Sequence, residues 1–278
     1  MDHTVVRNVH TAISMAHRLV YFVPEASEEY AAIGVEPGRG AYFASRTAPM
    51  GVVSDKVILA TFYNFSETAV RTAEIEKAWA AASPEALQAA RFRAVRRALD
   101  RVGFSMTTEQ IVEARALIDP VVKGLSLAGK PLAAANASVA LPNDPLLALW
   151  QQATVIREWR GDVHIALLIA NEIGPCACMV LQVGTGRFPL GVTQATRQWN
   201  EQQWAEAIVE LGVRGWVDGN GAMTPAGTAA REQLEDDTDR LCARIWKPIG
   251  EVGAKRLTEL LDPIHAAMSA AGTYGALA

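Results

Sequence analysis

Residues 157–174, REWRGDVHIALLIANEIG, place arginine, glutamate, aspartate and histidine on one otherwise apolar helix. Such a helix must be buried on most sides, and ionised groups buried with it need partners or a ligand. Residues three or four apart share a helix face, which groups Arg160 with His164 and Glu158 with Asp162. Arg157 and Arg160, three apart, can converge on a carboxylate, a phosphate or another planar anion. Asp162 orients His164 as an acid or base only if the helix bends at Gly161, because residues two apart diverge. These two are the only catalytic candidates. The alternative is that the charged side chains pair among themselves where two halves of the chain meet.

Two halves are expected from length, since 278 residues, half of them hydrophobic, suffice for two ordinary cores. The stretch 119–145 is densest in helix breakers, with Pro120, Gly124, Gly129, Pro131, Pro142, Asn143 and Pro145. It divides the chain into an N-terminal half over 1–120, a linker over 121–145 and a C-terminal half over 146–278. In the first half, Val5, Val9, Ile13, Ala16 and Val20 predict an amphipathic helix over 4–22. His3, His10 and His17 recur along it about 10 Å apart, too far to share one metal, and no metal site is expected. Ser54, Ser66 and Ser83 are placed to cap further helices, the last running to about Val102, with another helix over 108–118.

In the second half Asp144 can cap the central helix. VGTGRFPL at 183–190 lacks the glycine and lysine pattern of a phosphate loop and reads as a strand-to-helix turn. A short helix, LGVTQATRQ, then precedes Asn200 and Gln203, which form a capping box for EQQWAEAIVELGVRGWV. DGNGAMTPAG can fold as a small β-hairpin before a helix opened by Thr224 and Pro225. Helix, turn, helix, hairpin, helix is a winged helix-turn-helix. LGVRGWVDGNGAMTPAG is similar to the end of the reading helix and the wing of MarR-type proteins. YFVPEA, GRGAYFASRTAPMG, ATFYNF and IREWRGDVHIA resemble a helix-turn-helix family frequent in actinobacteria, with Trp159 and Val163 where that family is expected to carry histidine and glycine. The resemblance implies a fold and supplies no activity. A weak internal repeat, at an offset of about 120 to 123 residues, aligns Ala44, Ala48 and Gly51 with Ala166, Ala170 and Gly174, and Tyr42 near His164.

A net charge of −4 advertises no affinity for nucleic acid or anionic membranes, and no window has the roughly 18 apolar residues of a membrane span. Cys176, Cys178 and Cys242 match no zinc or redox spacing and suit a reducing cytoplasm. No residue pattern names a cofactor. The expected protein is mainly α-helical and cytoplasmic, built from two packed halves that the weak repeat would relate by duplication, with a small molecule held in the cleft between them. Arg157, Arg160, Asp162 and His164 would bind it, with Arg46 from a small-residue helix and Tyr63 and Asn64 from an aromatic cluster. The alternative is a ligand-responsive transcriptional regulator contacting DNA phosphates through Arg93, Arg96 and Arg97, since the predicted reading helix carries Glu201, Glu206 and Glu210. A third reading is an interaction module that forms a homodimer through that acidic helix.

Overall fold

The structure, a computed structural model, describes residues 1–186 and 188–274. The first half contributes α1 (His3–Arg18), α2 (Pro24–Ala32), α3 (Arg39–Thr47), α4 (Asp55–Thr61), α5 (Glu67–Arg71), α6 (Ile75–Ala81), α7 (Pro84–Arg101) and α8 (Thr108–Lys123). There follow α9 (Pro131–Ala137), α10 (Pro145–Ala170), α11 (Pro175–Gly184), α12 (Leu190–Arg197), α13 (Glu201–Val213), α14 (Pro225–Cys242) and α15 (Gly250–Ala270). The protein is mainly helical, with no named strand among the described residues.

Local chemistry sets most boundaries. Ser66, Ser83, Asp144 and Thr224 each accept a backbone N–H of the first turn they precede, whereas Ser54 makes no side-chain cap. Both halves of the Asn200–Gln203 capping box form. The first helix ends earlier than its apolar pattern, at Arg18, and tightens into a 3-10 turn over Leu19–Tyr21. In the breaker-rich stretch, α8 continues through an interior Pro120 to Lys123, and Pro131 opens α9 from the first turn, where proline is tolerated.

α10 is the axis of the fold. Its 26 residues are flanked by α1, α8, α9 and α14, and α1 also packs along α15. One core therefore runs from Val5 to Val163 and is completed by the C-terminal Leu257, Leu261 and Ile264. A smaller core joins the end of α10 to α11 and α13 through Leu168, Leu181, Trp204 and Leu211.

Two expectations need correction. The segment before VGTGRFPL is helix α11, not a strand, and Arg187 in that motif lies outside the described residues. The expected β-hairpin wing is reduced to one antiparallel bridge, Val217 to Met223. The Asp218 carboxylate accepts the N–H groups of Asn220 and Ala222, tightening the turn, and α14 begins two residues after Met223. Too little chain remains for a ladder.

Gly227 fixes this compact turn against α14, since a Cβ there would lie 2.0 Å from the Trp216 carbonyl oxygen. Gly227→Ala is expected to destabilise the protein by about 2 kcal/mol or more. Gly219→Ala, with nothing within 4 Å, should stay within about 0.5 kcal/mol. Urea unfolding of the two variants checks the difference.

Candidate functional site

On the inner face of α10, Arg157, Gly161, His164 and Leu168 recur at intervals of three and four, with Glu158, Asp162 and Ile165 one step around the helix. They form one wall of a cavity of about 850 Å³. Opposite stand Tyr42 and Arg46 of α3, the Thr61–Phe65 segment and Tyr21, while α11 and α12 close the cavity with Met179, Val192 and Arg197. Six of the seven expected ligand residues, all but Arg160, line this space.

Arg46 joins the two walls. Its Nη2 donates to both carboxylate oxygens of Glu158 at 2.9 and 3.0 Å, and its Nη1 donates to the Tyr42 hydroxyl at 2.8 Å. Arg157 donates to the same carboxylate. Burial pushes the Glu158 carboxyl up, but Arg157 and Arg46 outweigh it and hold the group well below the usual carboxylate range. The hydroxyl of Thr154 is committed to the Trp150 carbonyl, so at the 2.8 Å contact with His17 the imidazole Nδ1–H donates. His17 Nε2 then accepts from the Tyr21 hydroxyl at 2.7 Å. The same reasoning applies to His164: Thr238 donates to the Leu234 carbonyl, so His164 Nδ1–H donates to Thr238 at 3.0 Å and Nε2 is left as an acceptor.

The remaining expected residues separate. α10 continues unbroken through Gly161, and Asp162 accepts the backbone N–H of Ala133 at 3.0 Å rather than meeting His164. Arg160 turns away from Arg157 to Glu235 and Asp239, each at 2.9 Å, and Arg7 shares Asp239. Tyr63 donates to the Ile173 carbonyl at 2.7 Å. The Asn64 carbonyl accepts the Trp199 indole N–H at 3.1 Å. Trp159 and Val163 are buried on the core side of α10.

Sequence reasoning missed His17, Tyr21 and Arg197 at the site and gave Tyr42 no binding role. Tyr21 follows His17 by four residues and Arg46 follows Tyr42 by four, so helical spacing was an available signal. Arg197 carried none, since it ends a short helix whose packing is not encoded locally.

α12, the Gln198–Trp199 turn and α13 are a helix, turn and helix in succession, docked on the Asn64–Ser66 segment. Ser66 donates its N–H to the Arg197 carbonyl at 3.1 Å and its hydroxyl to the Gln198 carbonyl at 2.8 Å. Residues 6–275 match a helix-turn-helix family. The chain belongs to that family. No curated protein and no solved structure matches it. Among the described residues, no single helix is long and apolar enough to cross a membrane.

In this helix-turn-helix protein, α13 exposes Glu201, Glu206 and Glu210 beside Val209 and Val213. Arg214 at its end donates to the Asn171 and Glu172 carbonyls, both at 2.8 Å. The arginines of α7 are engaged as well. Arg93 and Arg97 bind Glu29, Arg97 also binds Glu28, and Arg96 binds Asp100 and lies 3.6 Å from Asp144. Arg91, buried on the same helix, donates to the Ser45 carbonyl at 3.1 Å beside the Trp150 ring.

Two cavity groups titrate with opposite consequences. Burial lowers His164 to about 4, so its neutral form contributes stability that is complete above about 6.5 and lost as pH falls toward 4. Burial raises Asp162 to about 6 against the Ala133 N–H, so its ionisation costs stability above that pH and the cost disappears on acidification. His164→Gln should therefore reduce the loss of stability between pH 7 and 4.5 by on the order of 2–3 kcal/mol. Urea unfolding at the two pH values measures it.

Proposed function

We propose that this helix-turn-helix protein binds a small molecule in the cavity between residues 1–120 and 146–278, with 121–145 as the connection. The observation that carries the reading is the convergence of polar side chains from separate elements on a space of ligand size. About 850 Å³ lies within the range of small-molecule sites, which are mostly apolar and need only a few directing polar groups. Here Arg46, Arg157, Asp162 and His164 face Phe62, Phe65, Leu168 and Met179. Tyr63 and Asn64 border the same space and tie it to the second half. Arg160 supports the wall from behind.

Thermal-shift measurements with a metabolite and fragment library test the reading. Compounds that raise the melting temperature should lose the effect in Ile165→Trp, whose indole would occupy the cavity, and keep it in Arg160→Ala. Equal stabilisation of Ile165→Trp and the parent protein would place the ligand elsewhere.

Family membership favours a second reading, a ligand-responsive DNA-binding regulator. It predicts a shift of genomic DNA fragments at low salt that disappears when Arg93, Arg96 and Arg97 are replaced by alanine. The carboxylates paired with those arginines and the acidic face of α13 oppose it, so no shift at about 150 mM salt is expected. Self-association through α13 is the third reading, and sedimentation of a Val213→Glu variant tests it.

A further inference from the structure

Two guanidinium groups occupy similar seats on the aromatic wall of the cavity. Arg46 lies 4.4 Å above the Phe62 ring and Arg197 lies 4.2 Å above the Phe65 ring, and the two rings are 6.5 Å apart. Tyr42 stands against both, at 6.3 and 5.9 Å. Their partners differ. Arg46 receives the Glu158 carboxylate, whereas no carboxylate lies within 4.0 Å of Arg197 among the described residues. Its Nε, like that of Arg46, is buried without a hydrogen-bond partner, so the missing carboxylate is what sets the two apart. Burial lowers its affinity for a proton, Tyr42 and Cys178 partly offset that, and repulsion from Arg46 and Arg39 adds to the lowering. Arg39 offers no relief, because its own contacts, Thr72 and the Ala195 carbonyl, are neutral.

We infer that the ligand is an organic carboxylate with an apolar body, its carboxylate seated between the Arg197 guanidinium and the Tyr42 hydroxyl. The ligand gives Arg197 what Glu158 gives Arg46. A planar guanidinium presents paired donors that match a carboxylate, and the pair is strongest where water is excluded. The Tyr42 hydroxyl completes the seat. Its oxygen accepts from Arg46, and its proton has no acceptor among the described residues. Surrounding guanidiniums suit it to donate to an anion: burial raises its pKa, but Arg46, Arg197 and Arg157 lower it further. The charge balance of the inner cavity agrees. Arg46 and Arg157 share Glu158, Arg160 and Arg231 share Glu235, and even with Asp162 ionised above about pH 6 the Arg197 cation leaves the lining positive. Leu168, Met179, Leu181 and Val192 supply the apolar surface for the rest of the molecule.

This inference rests on the cavity being the ligand site, and the experiment separates the two claims. Calorimetric titrations of the full chain would use cinnamate and octanoate, their primary amides, and inorganic phosphate. At least one acid should bind, with its amide at least about tenfold weaker. Arg197→Gln should weaken that acid at least about tenfold and the amide by much less, and Tyr42→Phe should weaken the acid about three- to tenfold. Circular dichroism melts identify any variant that fails to fold; Arg197→Lys, which keeps the charge and loses the planar fork, then provides the comparison and should retain only part of the affinity. The carboxylate inference is overturned if Arg197→Gln binds the acid as well as the parent does, if acid and amide bind equally, if only phosphate binds, or if no acid binds up to about 10 mM. Amide binding that Ile165→Trp abolishes would leave the cavity standing as a site for neutral ligands; amide binding that survives Ile165→Trp would remove the cavity as well.

Discussion

The contact on which the interior depends is the bond from Arg46 to Glu158. Both side chains are almost wholly buried, and they come from helices 112 residues apart in sequence. A buried ion pair repays its desolvation only with good geometry and further hydrogen bonds. Here both carboxylate oxygens are engaged, Arg157 adds a second cation, and Tyr42 takes another guanidinium proton. Removing one member would strand the other in an apolar setting, so α3 and α10 are locked in register. The cavity exists beside this lock because the polar groups hold its walls apart, where leucines would have collapsed on one another.

How legible the molecule is in its sequence depends on range. Caps act within four residues, so Ser66, Ser83, Asp144, Asn200 and Thr224 mark helix starts that the structure contains. The apolar seam of α1 is legible for the same reason. Where two local outcomes compete, the pattern misleads. DGNGAM suits a hairpin, yet the Asp218 side chain captures the turn's donors and only the Val217–Met223 bridge forms. The glycines of VGTGRFPL suggested a strand before them, but CACMVLQV is apolar enough to be either element, and the proline at its head favours helix.

Site residues follow the same division. α10 announces itself because charges on an apolar helix are conspicuous, and its spacing places Arg157, Asp162 and His164 on a shared wall. Spacing along one helix says nothing about what stands opposite. Arg160 is one step round from the cavity and meets acids of α14, which sit 75 and 79 residues away. Arg197 was invisible for the converse reason: nothing unusual surrounds it in sequence, and tertiary docking alone gives it its neighbours. Arg93 and Arg97 of α7 looked free to contact phosphate because the glutamates that answer them lie on α2.

Trp199 and Ser66 tie the turn of the helix-turn-helix to the segment that carries Phe65, the ring beneath Arg197. The turn thus braces the cavity wall from outside. A rotation of α13 would have to break those hydrogen bonds or carry the Phe65 side of the cavity with it, so the shape available to an occupant and the attitude of the motif are one mechanical variable. By thermodynamic reciprocity, whatever engages the motif and whatever fills the cavity would each alter the affinity for the other, to the extent that each prefers one arrangement of that wall.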